Sequence, residues 1–330
     1  MHLACTLVVH DRKGTNMNLS LFDTHCDTAF ELYHRNQSIT DNTCHISLSH
    51  AQSYDKYAQL FAIWSDRRLD DQTCWEHFLQ IADNFDRVLQ SDGNMKRVTT
   101  GEDLDAALLS TKRAAILAVE DARLLAGDID RLQVLYDRGV RCITLLWGGE
   151  TCIGGSHDTN VGLTAFGKQV TARCFELGIV PDISHASEQS VDDVIEIANQ
   201  YQKAFIATHS NAYSAYAHSR NLRDRHLTEL MRLGGTVGVS MCTSHLRDCS
   251  QKQADVDDIV CHIERYMELG AQDHLCFGCD FDGTGLPDGI AHVGDLEKVA
   301  DALLARGYSD QLIDKIFFKN AYTFFQKQLS

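Results

Sequence analysis

Proline is nearly absent, at 2 residues in 330, and the 22 glycines are scattered. No Pro/Gly-rich linker or composition shift therefore divides the chain, and one domain is expected. No apolar run approaches the ~20 residues needed to cross a bilayer. Basic residues are in deficit, with 30 Lys+Arg against 46 Asp+Glu and a net charge of −16. That balance opposes nucleic acid and anionic membrane surfaces, both polyanions, but leaves a small substrate open because it feels only local charge. Low-complexity tracts and solenoid repeats are missing too, which excludes a disordered or repeat architecture. The N-terminal stretch "MHLACTLVVHDRKGTNMNLS" has no basic lead and no clean small-residue cleavage site, so a signal peptide is not expected. Met17 precedes the first convincing strand, which reads residues 1–16 as a loose extension and 17–330 as the catalytic domain. Without an export signal, the 12 cysteines are expected as reduced thiols in the cytoplasm. The one CxxC, Cys276 to Cys279, sits in a strand-like segment where positions three apart face opposite ways, so core packing is expected of both.

What is present is an alternation. Hydrophobic residues make up 44% of the chain, enough for a large core. Eight short apolar runs recur: Leu19–His25, Ala58–Trp64, Ala114–Glu120, Arg141–Trp147, Gly178–His185, Ala204–Ser210, Gly235–Met241 and His274–Asp280. Between them lie helix-like stretches such as "HFLQIADNFDRVLQ" and "VDDIVCHIERYMELG". Gly139, Gly178, Gly234, Gly270 and Gly307 stand where helices would stop. Eight strands that each feed a helix predict an α/β fold of the (β/α)8 TIM-barrel type. The rival, an open doubly wound sheet, wants a Gly-rich turn after an early strand, and none follows the first three.

The polar groups fall at one end. In such a barrel the strand C-termini open onto the active-site face. His25 and Asp27, Glu120, His185, His209 and Asp280 all stand at or just past strand ends, while two other ends carry Trp64 and Trp147. His25 and Asp27 are two apart, so on a strand both would face one way about 6.6 Å apart, within reach of one cation. Glu120 can bridge two cations, and His185 with His209 can hold the second. Imidazoles with carboxylates suit two Zn²⁺ best, with Mn²⁺, Co²⁺ or Fe²⁺ as substitutes. Two such ions sharing a water lower its pKa to about 7 and give a hydroxide nucleophile at neutral pH. Burying these groups together without a cation would be costly. Asp280 is placed to exchange a proton with that water. His34, His45, His50, His77, His226, His262 and His292 are expected at the surface; His157, on a long loop after the fourth strand, is within reach of the site, but solvent exposure is the expectation.

With "DTHCDT" (23–28), "AVEDA" (118–122), "DISHAS" (182–187), "ATHSNA" (207–212), "HSRNL" (218–222) and "GCDFDG" (278–283) in this order, the sequence resembles the renal-type (membrane) dipeptidases. These are binuclear zinc peptidases of the metal-dependent amidohydrolase group. The resemblance runs from about Leu19 to Phe325 and suggests a bacterial cytoplasmic branch. It implies that His25 and Asp27 bind one zinc, that Glu120 bridges both and that His185 and His209 bind the other. It also implies Asp280 as general acid/base and Arg220 on the substrate's terminal carboxylate, a task suited to a bidentate donor. The implied activity is hydrolysis of dipeptides, including those with a C-terminal D-residue, and the implied partners are a dipeptide and, in a homodimer, a second copy.

Two positions depart from the family pattern. Mammalian members carry His at the end of the fourth strand, where Trp147 stands here as a substrate-facing residue, and a Tyr after the seventh is replaced by Cys242. Trp can neither take a proton nor bind metal, so both changes bear on substrate preference. Two rivals stay open: another amidohydrolase reaction on a lactone, phosphoester or N-acyl amino acid, and a metal-bearing scaffold without catalysis. Against the first, many such barrels begin with HxH, whereas this one has HxD and lacks a clear Lys at the fourth strand end for a carbamate bridge.

Overall fold

The computed structural model describes residues 18–330; the expected extension at 1–16 lies outside them. Nine strands form: β1 (Leu21–Asp23), β2 (Tyr57–Trp64), β3 (Met95–Arg97), β4 (Arg113–Glu120), β5 (Val140–Thr144), β6 (Val180–Asp182), β7 (Ile206–Ala207), β8 (Thr236–Val239) and β9 (Leu275–Phe277). All pairings between them are parallel, and β2 pairs with both β1 and β4. The order β2-β1-β9-β8-β7-β6-β5-β4 thus closes into an eight-stranded barrel with helices between strands, as expected. The ninth strand was not foreseen. β3 ("MKR") has no apolar alternation and pairs only with Arg113–Ala115 of β4, before β5 takes over that edge from Leu117.

Period-two patterning builds the two cores. On β2 and β4, Ala58, Leu60, Ala62, Ala114, Ile116 and Ala118 face the barrel interior. Tyr57, Phe61, Ile63, Ala115, Leu117 and Val119 face the helical ring. Glu120 continues the inward set, so the same parity that packs the interior delivers a carboxylate to the mouth. Gly278 sits where the barrel is narrowest, because a Cβ there would stand 1.6 Å from the Thr208 carbonyl oxygen. All five glycines expected to stop helices adopt positive φ there. Cys276 and Cys279 pack into the two different cores, as expected.

The opposite end is plugged by the helix Asn320–Gln328. Phe325 stacks on Phe22 of β1 at 5.3 Å, and Asn320 Nδ2 donates to the Leu275 carbonyl at 2.8 Å. Phe325 is fully buried in the interior cluster. Phe325→Ala is therefore expected to cost about 3–5 kcal/mol, read as a lower urea midpoint at unchanged slope. A loss below about 1 kcal/mol would show that the plug does not hold the barrel.

Candidate metal centre and substrate cavity

The strands end earlier than expected and the site residues lie on the turns that follow. β1 stops at Asp23, and Asp27 immediately precedes the helix Thr28–Arg35. His25 and Asp27 therefore do not share an extended strand face: the turn draws His25 Nε2 to 3.9 Å from Asp27 Oδ2. β6 and β7 stop because the Asp182 carboxylate takes over the ladder. Its Oδ1 accepts from the backbone N–H of Ser184 and of Thr208, both at 2.9 Å. His185 then turns over with φ 68°, and Asp280, after β9, does the same with φ 62°. Positive φ in non-glycine residues is strained backbone of the kind that clusters at functional sites.

The five expected ligands converge. Glu120 Oε1 lies 3.1 Å from His185 Nε2, 3.3 Å from His209 Nε2 and 3.7 Å from His25 Nε2. The two imidazole nitrogens of His185 and His209 are only 3.0 Å apart. Their tautomers are pinned from behind. His185 Nδ1 must donate to the Trp147 carbonyl, 2.9 Å away, because a carbonyl only accepts. Thr208 Oγ1 gives its proton to Asp182 Oδ2 at 2.5 Å and so accepts from His209 Nδ1 at 2.8 Å. Both Nε2 atoms are thus bare lone pairs aimed at each other and at a carboxylate oxygen.

These residues fit a bound cation. Three acceptors facing one another at 3.0–3.3 Å repel unless a positive charge sits among them. The spacing matches the roughly 3.3 Å between donors on a tetrahedral ion with 2.0–2.1 Å bonds. His25 Nε2 and Asp27 Oδ1 are buried without any hydrogen-bond partner. Two donor groups gather ligand atoms closely enough for an ion: His25 with Glu120 and His209, and His25 with Asp27 and Asp280. Gly283 makes room for the second, since a Cβ there would lie 2.1 Å from Asp27 Oδ2 and 2.5 Å from Asp280 Oδ1. The backing of the ligand imidazoles by a carbonyl and by a hydroxyl–carboxylate relay is the outer layer that metal-binding histidines require.

Without a cation, burial drives these groups toward their neutral forms. Burial, reinforced by Asp280, drives the Asp27 carboxyl well above its usual value. Burial followed by Asp27 does the same to Glu120. Burial raises Asp280 to about 7 against the pull of the Arg220 guanidinium. Burial holds His25 down to about 3 and both His185 and His209 well below the usual imidazole range.

A cavity of about 460 Å³ opens over this cluster, lined by Asp27, Glu120, His185, Asp280, Arg220 and Trp147 among others. Arg220 is 4% exposed. Its Nη1 donates to Ser210 Oγ at 3.3 Å and its Nη2 to the His209 carbonyl at 3.1 Å, while Nε has no partner. Trp147 lies 5.1 Å from Trp64, which in turn lies 5.8 Å from Phe30, giving the cavity one aromatic wall.

Several histidines differ from expectation. His157 is half-buried and lines the cavity instead of facing solvent, because its loop folds back and its N–H donates to the His185 carbonyl at 2.7 Å. His226 and His262 are buried, not superficial. The first bonds Asp192 at 3.1 Å, and the second bridges the Ala212 N–H and the Leu246 carbonyl, both at 3.0 Å. His45, His50, His77 and His292 are half-buried, and His34 alone of this set is exposed. His245, Phe30 and Asp282 also line the cavity and were not anticipated. None lies at a strand end, the one signal available in sequence.

Comparison with known proteins follows the same lines. Residues 14–328 match the family model for membrane dipeptidase, peptidase family M19. An uncharacterized protein from the pqqA 5′ region of Klebsiella pneumoniae is 30% identical over 71% of this chain and 89% of its own length. Human Dipeptidase 3 is 27% identical over 93% of this chain, which spans 64% of that protein. The crystal structure of dipeptidase AC, an M19 metallopeptidase, superposes with a TM-score of 0.86 at 26% identity, covering 95% of this chain and 99% of that one. A metallopeptidase from Rhodobacter sphaeroides, bound to a phosphinate mimic of the dipeptide L-Ala-D-Ala, gives 0.86 at 25% identity over 95% and 100%. The chain belongs to the membrane dipeptidase family, peptidase family M19, and is by class a metal-dependent hydrolase of peptide bonds.

Proposed function

We propose that the enzyme cleaves dipeptides at a centre of two divalent cations, zinc by preference. His25 and Asp27 hold one, His185 and His209 the other, and Glu120 touches both. The observation that carries this reading is the approach of two bare imidazole nitrogens and a carboxylate oxygen to within 3.0–3.3 Å. Nitrogen and oxygen donors of this kind favour Zn²⁺, with Mn²⁺, Co²⁺ or Fe²⁺ able to substitute. Acceptance of a C-terminal D-residue is supported by the L-Ala-D-Ala mimic bound to the Rhodobacter sphaeroides relative. We read residues 17–330 as a single catalytic unit. A cytoplasmic location is supported by the 11 free cysteines among the described residues. Among those residues, no helix is long and apolar enough to cross a membrane.

Cations held there supply Lewis-acid polarisation of the scissile carbonyl and bring the pKa of water to about 7. The protein's own groups do the rest. Asp280, with Oδ1 3.9 Å from His25 Nε2, takes a proton from the attacking water and returns it to the leaving amine as the C–N bond breaks. Arg220 binds the free C-terminal carboxylate, which favours dipeptides because a longer chain would move that charge away from the clamp. Trp64, Trp147 and Phe30 shield the reacting carbonyl from bulk water.

Glu120→Gln is expected to lose activity to background and to lower the bound metal measured by plasma mass spectrometry, with an unchanged circular dichroism spectrum. Near-normal turnover in that variant would remove Glu120 from the centre. Arg220→Ala is expected to raise KM for dipeptides by about 30-fold or more with a smaller change in kcat. Equal cleavage of free and C-terminally amidated dipeptides by the unmodified enzyme would refute the carboxylate clamp.

Burial raises the proton affinity of Asp27, Glu120 and Asp280, so protons compete with a cation for these carboxylates, whereas the depressed imidazoles bind protons weakly. Affinity must then weaken as protons become abundant. The thermal shift that added Zn²⁺ gives to chelator-stripped protein is expected to shrink from about pH 8 to about pH 5.5. A shift that grew on acidification would contradict this ligand set.

A further inference from the structure

Neither His157 nor His245 has a part in the hydrolysis described above, yet both line the cavity with Arg220. Each is fastened to the segment that carries Arg220. His157 Nδ1 meets the hydroxyl of Ser219 at 3.0 Å. On the other flank, the His245 ring lies 4.9 Å from that of His218, whose Nδ1 accepts from the Arg220 N–H at 3.2 Å. The His245 carbonyl accepts from Asn221 Nδ2 at 2.9 Å. Two imidazoles from different loops therefore flank the segment that carries Arg220 and line the same cavity as its guanidinium.

No carboxylate answers this basic group. Among the described residues Arg220 forms no ion pair, its Nη atoms meet only a hydroxyl and a carbonyl, and its buried Nε is unpartnered. The cavity's other acids are occupied. Asp158 Oδ1 accepts from the Gly149 N–H and the Ser156 hydroxyl. Glu31 pairs with Arg35, and Asp282 accepts from the Thr28 hydroxyl and the His45 N–H. Asp27, Glu120 and Asp280 face the metal centre. A guanidinium needs one carboxylate; two further N–H donors beside it offer more than the main-chain terminus of a dipeptide can use.

We propose that His157 and His245 form a specificity pocket for a second carboxylate, so that the preferred substrates are dipeptides ending in an acidic residue. This rests on the dipeptidase reading, with Arg220 on the terminal carboxylate and the acidic side chain between the two imidazoles. Both rings donate N–H to the side-chain oxygens, and the nearby guanidinium adds Coulombic attraction in a site screened from water.

The test compares kcat/KM of the zinc-loaded full-length enzyme for L-Ala-D-Asp, L-Ala-D-Asn and L-Ala-D-Ala and their all-L counterparts. Asp-ended substrates are expected to exceed the near-isosteric Asn-ended ones by at least about tenfold. That ratio is expected to fall toward one in His157→Gln and in His245→Gln and to persist in His245→Lys, which restores an N–H donor at that position. Because it is a ratio, a general loss of activity does not imitate the effect. Equal use of Asp- and Asn-ended dipeptides by the unmodified enzyme, or a ratio that survives both Gln substitutions, overturns the pocket and leaves the dipeptidase reading standing. Failure to cleave any member of the panel overturns both.

Discussion

The mouth of this barrel is organised around a repulsion. Two imidazole nitrogens, both stripped of protons by what lies behind them, and one carboxylate oxygen point at a common space only 3.0–3.3 Å across. A protein gathers such groups, buried, only where a positive charge offsets their desolvation and mutual repulsion. The rest of the site follows from holding them there. The Asp182 carboxylate ends two strands and, through Thr208, orients His209. The Trp147 carbonyl orients His185. The positive φ at His185 and Asp280 is the backbone strain of aiming both side chains inward, and it persists because the closed sheet beneath leaves no freedom to relax it.

The barrel supplies rigidity at one end by sealing the other. Small inward side chains on β2 and β4 let the strands close tightly, and the Phe22–Phe325 stack fills the far end. The result is a packed core, and the cavity that carries the clustered ligands lies above the strand ends. There the wall chemistry is polarised. Trp64, Trp147 and Phe30 form an apolar side, and Arg220 with its flanking histidines forms a basic side.

Most of this frame was legible in the residues because short apolar runs alternate with amphipathic helical stretches, the pattern of parallel strands buried on both faces. The eight runs mark the barrel strands, and the inward parity of β4 places Glu120 at the mouth. β3 was hidden because three residues with one buried side chain make no pattern. His25 and Asp27 were correctly brought together for an incomplete reason. They sit on a turn, and it is the turn, not strand parity, that closes their separation to 3.9 Å. His157 and His245 escaped because loop histidines carry no periodic signal. Their place is set by contacts with Ser219, His218 and Asn221, residues far away in the chain. The burial of His226 and His262 was missed for a related reason: polar partners distant in sequence, one for His226 and two for His262, offset it and are invisible to local pattern.

The substitution at position 147 takes on a different meaning once the backbone is considered. Trp147 keeps its support of His185 through a carbonyl oxygen, which every residue type possesses. Losing an ionisable side chain there thus leaves the ligand geometry untouched. What the indole adds is a surface, packed 5.1 Å from Trp64 and with the Arg67 guanidinium 5.5 Å from its ring. Cys242 lines the same cavity; it is 8% exposed and its N–H donates to Ser240 Oγ at 3.1 Å. Neither side chain belongs to the cluster of Glu120, His185 and His209, so both positions bear on the cavity wall and not on that cluster.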